Sequence, residues 1–309
     1  MSFAPAYLAL LESKVLQERV RTAYQRLENC ELCPRRCGVN RREGILGSCR
    51  TGEEAVVSSA GPHFGEESPL VGRGGSGTIF FAWCNLRCRY CQNAQISQFG
   101  EGVPVSVEQL ASLMLDLEER GCHNINFVSP SHVVPQILAA TLIAARAGLN
   151  VPLVYNTGGY DSLETLALLD GVFDVYMPDM KYGAAGAGEQ YSGVQDYPAI
   201  NQAAVAEMHR QVGDLVLDER GIAQRGLLVR HLVLPEGLAG TAEIVSFLGE
   251  LSAQTYLNVM DQYRPCHQAS SLPPLDRRIT RAEYLEAVHL AHEAGLYRLD
   301  DRAPLRRML

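Results

Sequence analysis

The sequence predicts an α/β fold: a parallel sheet of six strands rolled into a partial or full barrel, behind an N-terminal helical and cysteine-rich extension. Three observations predict it. From residue 78 onward, short apolar, β-branched or aromatic runs alternate with segments of helical periodicity. The runs are near-continuously apolar, which suits strands buried on both faces. Helix-start signals stand between them, so the strands are joined by crossover helices and lie parallel.

Each element follows in order. Leu8, Leu11, Val15, Leu16, Val20, Tyr24 and Leu27 stand roughly at helical spacing and predict an amphipathic helix over residues 5–29. Residues 30–77 read as irregular, rich in Gly, Arg and Pro, and end in GRGGSG from Gly72 to Gly77, a turn into the first strand. The six strand runs are TIFFA (78–82), NINFV (124–128), PLVY (152–155), FDVYM (173–177), LLVRHLVL (227–234) and TYLNVM (255–260). Ser106 with Gln109 forms a capping box ahead of one helix, which Gly121 terminates, and Thr280 with Glu283 forms another ahead of the last helix. The chain therefore divides into an extension, 1–77, and a core with a C-terminal helix, 78–309. In a parallel α/β barrel the chemistry belongs on the loops after the strands, where Cys84, Ser129, Asn156, Asp179 and Asp261 fall.

Composition narrows the function. A formal charge of −8 argues against a general phosphate-binding surface, so no nucleic-acid partner is expected. With neither a secretory or transit pattern nor a long apolar span, the chain is expected in the cytoplasm and off the membrane. In that reducing compartment nine cysteines point to metal ligation or catalysis, and seven of them fall between positions 30 and 91.

CNLRCRYC, from Cys84 to Cys91, offers three thiols directly after the first strand. Closely spaced thiolates suit zinc or an iron–sulfur cluster. With three ligands, either a distant fourth residue such as Cys122, a histidine or an N-terminal cysteine closes the site, or one coordination position stays open for chemistry.

This stretch resembles the C-x3-C-x-aromatic-C signature of radical S-adenosylmethionine (SAM) enzymes, placed after the first barrel strand as in that superfamily. The resemblance implies a partial (β/α)6 radical SAM barrel. It implies that Cys84, Cys88 and Cys91 hold a [4Fe-4S] cluster whose remaining iron binds SAM, and that reductive cleavage of SAM yields a radical that abstracts hydrogen from substrate. Tyr90 would lie beside the adenine, or pack at the loop base. MPDMK, from Met177 to Lys181, resembles the M-x-D-x-K element of the pyruvate formate-lyase activating enzyme branch. There the Asp helps hold a monovalent cation and the Lys approaches the SAM carboxylate, which assigns Asp179 and Lys181; a plain strand-end salt bridge is the alternative. NTGG from Asn156 resembles that branch's D-T-N-G turn without its acidic member, and FVSPSHV from Phe127 replaces its Gly-Gly-Glu element, leaving Ser129 and Ser131 as the expected SAM contacts. His132 is either a proton donor near the site or a helix-start residue. Arg230 or His231 reaches the ribose, and strand alternation allows only one of them to point inward.

Upstream, Cys30, Cys33, Cys37 and Cys49 give the spacing C-x2-C-x3-C-x11-C, a second metal site of zinc or of an auxiliary iron–sulfur cluster, or else free or redox-active thiols. Together with the strand and loop motifs they resemble a subgroup of activase-like proteins. Gly183 to Gly188 reads as a mobile loop, and residues 183–197 as a segment that admits or covers substrate. Asp261, Tyr263 and Arg264 are expected to grip substrate or to close a loop by an ion pair. The expected function is hydrogen abstraction from a protein or peptide, with glycyl-radical activation as the form the resemblance implies and a flavodoxin or ferredoxin type protein as electron donor. Radical modification of a small molecule, and a non-catalytic iron–sulfur or zinc scaffold that binds a partner, are the alternatives.

Overall fold

The computed structural model describes residues 3–300. Residues 301–309 of the expected core segment lie outside the described residues. In chain order the N-terminal part runs through helices α1 (Ala6–Glu12) and α2 (Val15–Gln25), strand β1 (Ala55–His63), helix α3 (Ser68–Val71) and strand β2 (Ser76–Phe81). There follow α4 (Ala94–Ser97), β3 (Val103–Val105), α5 (Val107–Glu119), β4 (Ile125–Val128), α6 (Val134–Arg146), β5 (Leu153–Thr157), α7 (Leu163–Leu169) and β6 (Val175–Pro178). The chain then forms α8 (Ala185–Ser192), α9 (Tyr197–Val212), β7 (Val216–Leu217), β8 (Ala223–Leu232), α10 (Thr241–Leu251), β9 (Tyr256–Met260) and α11 (Arg281–Glu293).

The sheet runs β3-β1-β2-β4-β5-β6-β8-β7, with β9 also paired to β8. Strands β2, β4, β5, β6, β8 and β9 pair in parallel, each with the next, and they are the six that the apolar runs predict. The sheet is not closed. It is also mixed: β1 pairs antiparallel with β2 and β3, and β7 antiparallel with β8.

Three expectations need correction. The predicted helix over 5–29 is two helices, because Lys14 adopts a left-handed φ of 63° that ends the first and turns the chain into the second. Residues 30–77 are not wholly irregular: β1 and α3 form there, and β1 escapes a sequence reading because its apolar start, AVV, gives way to Ser, Gly and Pro. Residues 185–188 of the expected mobile loop 183–188 are helical, the first half of α8, which Gly193 terminates at φ 67°. Both predicted capping boxes are present, at Ser106–Gln109 and Thr280–Glu283.

The two-residue period of a strand sorts its side chains between two faces. Phe81, Phe127, Tyr155, Tyr176, Leu227 and Val229 join the main core under the helices, where Phe127 stacks on Phe81 with ring centroids 6.1 Å apart. The intervening residues Val154, Val175, Met177 and Leu228 form a second apolar cluster with Leu70 of α3. Followed two residues further along each strand, that same face carries Asn156, Asp179 and Arg230. Register places them side by side: Asp179 bridges to Arg230 and Arg230 pairs with Asn258. A layer of apolar side chains thus supports a layer of polar ones at the C-terminal ends of the strands.

Candidate active site

The loop after β2 is held from several sides. Trp83 opens it at a left-handed φ of 67°, and the side chain of Asn85 donates to the Tyr160 carbonyl at 2.7 Å. Backbone N–H groups of Arg87 and Arg89 donate to the carbonyls of Ser192 and Tyr191, fixing the loop to the end of α8. The thiols find weak partners: Cys88 Sγ lies 3.0 Å from Ser192 Oγ, Cys91 Sγ 3.1 Å from Ser97 Oγ, and Cys84 Sγ accepts from the Leu86 N–H at 3.4 Å. Burial, reinforced by the neighbouring Cys88, pushes the Cys84 thiol up to about 12. Burial likewise raises Cys88, against the pull of the Lys181 ammonium. As free thiols both are protonated at neutral pH, and a bound metal replaces those protons.

A cleft of about 210 Å³ opens beside this loop. Cys88, Tyr90 and Cys91 form one wall, and Asp179, Lys181 and Arg230 the other, with Met260 at the end of β9 and Gln262 just beyond it. Asp179 is the hub of the polar wall. Its Oδ1 accepts from Arg230 Nε at 2.8 Å and its Oδ2 from Lys181 Nζ at 2.5 Å. Burial alone would raise its carboxyl, but the two adjacent cations and their hydrogen bonds hold it below the ordinary carboxylate range. Arg230 also donates to Asn156 Oδ1 at 2.8 Å.

The other expected contacts are placed as follows. Tyr90 is buried, accepts a hydrogen bond from Tyr182 at 2.8 Å and meets Tyr182 and Tyr263 edge-on. Ser129, at a left-handed φ of 59°, donates its N–H to the Asn156 carbonyl, and Ser131 Oγ lies 3.1 Å from Thr157 Oγ1. Neither serine lines the cleft. Arg230 is the residue of its pair that faces the cleft; His231 turns away to Met180 O and Thr241. His132 is buried in the wall of the cavity formed by Cys30, Cys33, Cys37 and Cys49, away from the cleft. Tyr263 is buried with its hydroxyl on the Leu275 carbonyl, so it braces its loop.

Sequence reasoning missed Glu67 and Asn258. Glu67 is buried at the start of α3, 3.9 Å from Arg230, and accepts from Asn258 Nδ2 at 3.0 Å. Burial raises its carboxyl, with Arg230 acting the other way. Glu67 lies in a segment without strand or motif signal, and only the folded register brings it to Arg230. Ser192, on Cys88, lies in the 183–197 stretch that was expected to admit or cover substrate, not to support the cysteines.

Gly159 sets the backbone under this wall. At φ 75°, an added Cβ would stand 2.2 Å from both Asn201 Nδ2 and the Asp179 carbonyl oxygen. Gly159→Ala is therefore expected to displace Asp179 and cost about 1–3 kcal/mol. Chemical denaturation measures it, and an unchanged midpoint would contradict this account of the turn.

Residues 78–182 match the family model described as the radical SAM superfamily. Over 297 residues the chain is 33% identical to the uncharacterized protein MJ0674 of Methanocaldococcus jannaschii, spanning 94% of this chain and 82% of that protein. The chain belongs to the radical SAM superfamily. Solved structures with a distant likeness to this radical SAM chain include TYW1 with a lysine-pyruvate adduct bound, at 11% identity and TM-score 0.44 over 70% of this chain and 73% of that one. Another is Streptococcus suis SuiB bound to precursor peptide SuiA, at 12% identity and TM-score 0.45 over 70% of this chain and 46% of that one.

Members of the superfamily are enzymes, and membership implies a [4Fe-4S] cluster and SAM. The donor set fits that pair in kind: three soft thiols on one loop, coupled electrostatically to one another and to Lys181, beside a cleft with an ammonium and a guanidinium. Among the described residues no three His, Cys, Asp or Glu side chains are already set to hold a metal ion. Among the described residues no helix is long and apolar enough to cross a membrane.

Proposed function

We propose that this chain abstracts hydrogen from a protein or peptide substrate, with activation of a glycyl-radical enzyme as the specific form. The observation that carries the reading is the single cleft in which Cys88 and Cys91 face Asp179, Lys181 and Arg230. In this reading Cys84, Cys88 and Cys91 hold the [4Fe-4S] cluster. When bound, the cluster supplies the electron for reductive cleavage of SAM. Lys181 holds the SAM carboxylate as a fixed ammonium, and Asp179 keeps Lys181 and Arg230 oriented and charged. A monovalent cation, where one binds, takes the oxygen that Lys181 releases. Tyr90 supplies an apolar wall to the adenine, and Arg230, held by Asn156, is available to the ribose. Ser129 and Ser131 brace the end of β5 that carries Asn156, through the Asn156 carbonyl and Thr157 Oγ1. The unclosed sheet leaves a side through which a polypeptide loop reaches the cleft, and a backbone glycine suits the chemistry because its radical is stabilised by flanking amides. The reducing cytoplasm, with a flavodoxin or ferredoxin as donor, suits an iron–sulfur enzyme with free thiols.

The test is anaerobic reconstitution with iron and sulfide, reduction with dithionite and addition of SAM. Methionine and 5'-deoxyadenosine are expected in equal amounts. A chain with a full complement of cluster that forms neither is no radical enzyme. Adding synthetic peptides that carry a glycyl-radical loop sequence, with deuterium at the glycine, separates the substrate classes: transfer of deuterium into 5'-deoxyadenosine supports the peptide reading, and its absence with every peptide removes it.

A further inference from the structure

We propose that Cys30, Cys33, Cys37 and Cys49 form a second metal centre, closed by four thiolates, and that this centre braces the loop carrying Cys84 to Cys91. The four side chains line one enclosed cavity together with Arg35, Arg41 and His132. Cys30, Cys33 and Cys49 are buried, and Cys33 interacts electrostatically with the other three.

The surroundings demand negative charge there. Arg41 is only 1% exposed, and its donors go to the carbonyls of Gly52 and His132, with Nη1 also 3.9 Å from Cys30 Sγ. Those carbonyls are dipoles rather than counter-charges; Glu53, Glu54 and Glu108 line an open cavity on another side of Arg41, while within the cysteine cavity the guanidinium meets thiols and no carboxylate, and a buried guanidinium without a paired anion costs roughly several kcal/mol. Arg35 lines the same cavity, and its buried Nη2 has no hydrogen-bond partner. Four neutral thiols compensate neither cation. Four thiolates on a divalent ion, or on an iron–sulfur core, carry net negative charge and compensate both.

As a free thiol Cys33 is protonated, because burial pushes it up to about 12, and ligation replaces that proton. A backbone donor already faces one sulfur: the Ser48 N–H donates to Cys37 Sγ at 3.3 Å. A neutral thiol is a weak acceptor, while a thiolate makes the stronger, charge-assisted bond. His132, 1% exposed, points Nε2 at the Ala82 carbonyl 3.0 Å away, which places the proton on Nε2 and leaves buried Nδ1 without a partner in this wall. Ligation removes one proton from each thiol and forms one metal–sulfur bond per residue; with zinc, or with an iron–sulfur core already assembled, no electron is transferred.

Position then gives the centre a role. Arg35 Nε donates to the Asn85 carbonyl and Nη1 to the Gly193 carbonyl, each at 2.8 Å, while Arg87 donates back to the Ser48 carbonyl. The four-cysteine segment is thereby fastened to both ends of the loop's support, the stretch beside Cys84 and the turn after α8 that follows Ser192. A metal that fixes Cys33, Cys37 and Cys49 fixes Arg35 and Ser48, and through them the loop.

Zinc and an iron–sulfur cluster share this thiolate chemistry, and the experiment separates them. In the full chain with Cys84, Cys88 and Cys91 replaced by alanine, purified anaerobically and exposed in turn to zinc or to iron with sulfide, one centre is expected to remain. It reads as about one zinc without sulfide, or about four irons with matching sulfide, per chain. A metal content no higher than in the variant lacking all seven cysteines overturns the site. Should the triple variant fail to fold, Cys33→Ser with Cys37→Ser in the otherwise intact chain decides: the loss of one zinc or one cluster supports the site, and unchanged content overturns it. For the bracing role, amides of residues 84–98 in the triple variant are expected to exchange at least about tenfold faster once a chelator strips the centre. Equal exchange rates refute the bracing. None of these readouts depends on SAM cleavage, so the centre stands or falls apart from the proposed reaction.

Discussion

Replacing Cys84, Cys88 and Cys91 with alanine is expected to remove reductive cleavage of SAM entirely, a loss of about 10⁶-fold or more, while leaving the fold intact. The asymmetry between the two effects follows from where the residues sit. All three lie on the loop after β2 rather than within it, and their sulfurs make only weak contacts in the free protein: Cys88 with Ser192, Cys91 with Ser97, and Cys84 with a backbone N–H. Truncation forfeits about 0.5–1.5 kcal/mol per such contact at most. The loop is otherwise fixed by backbone hydrogen bonds that alanine retains, from Arg87 and Arg89 to the carbonyls of Ser192 and Tyr191. By contrast, the cleft offers no further thiol to replace those lost: Lys181 and Arg230 are cations, and the Asp179 carboxylate is engaged by both of them. The variant is thus expected to show the far-UV spectrum of the parent chain, to lack the iron and sulfide belonging to this loop, and to form 5'-deoxyadenosine at the uncatalysed rate. Residual formation above about one-hundredth of the parent rate, far more than the background of an uncatalysed reaction, would show that another set of ligands holds the reactive centre. Ser192→Ala is the complementary control. It removes the hydroxyl beside Cys88 while keeping all three thiols, so cluster content is expected to persist.

The parallel core was legible because it is buried on both faces. β2, β4, β5, β6, β8 and β9 must be apolar along most of their length, and contiguous apolar runs are visible without any knowledge of partners. The antiparallel strands β1, β3 and β7 lie outside that six-strand array: β1 passes from an apolar start into Ser, Gly and Pro, β3 is three residues centred on a proline and β7 only two residues, so their strand character comes from pairing rather than from composition. Helix α8 was hidden for a related reason: AAGAG has poor intrinsic helicity, and it is packing of Gly188, Tyr191 and Ser192 into the interior that holds it. The site divides in the same way. Cys84, Cys88 and Cys91 are close in sequence, as are Asp179 and Lys181, and local spacing revealed them. Glu67, Asn258 and Ser192 reach the site from three distant segments, and no local pattern signals a contact across 191 residues such as that between Glu67 and Asn258. His132 shows the limit from the other side. A histidine after a strand invites a catalytic reading, yet the chain folds it into the cysteine cavity with its imidazole on Ala82.

Asp179→Asn is expected to destabilise the chain by about 3 kcal/mol, near the lower end of the cost of breaking a buried ion pair because the wall is not wholly sealed from water. The three side chains at issue are 14% exposed for Asp179 and 19% for each of Lys181 and Arg230. In the parent chain one carboxylate answers two cations. The asparagine keeps one oxygen acceptor and loses the charge, so a guanidinium and an ammonium are left adjacent. Glu67, 3.9 Å from Arg230, and Glu66 are nearby carboxylates that remain, and burial disfavours the charged form of Glu67. Because Asp179 titrates below its ordinary value in the fold, its stabilisation is fully present above the unfolded carboxyl value of 3.8 and is lost as pH falls through the lower folded value. The parent is thus expected to lose this contribution only below about pH 4, while the variant lacks it at neutral pH already. Urea titrations of both chains at pH 7 and at pH 3 measure the difference, which should be large at pH 7 and shrink at pH 3. Adding Lys181→Met to Asp179→Asn removes one of the two stranded cations and is expected to restore about 1–2 kcal/mol of the loss. If the double variant is less stable than Asp179→Asn alone, the cost lies in lost packing rather than in unpaired charge, and Asp179 is not the electrostatic hub of the cleft.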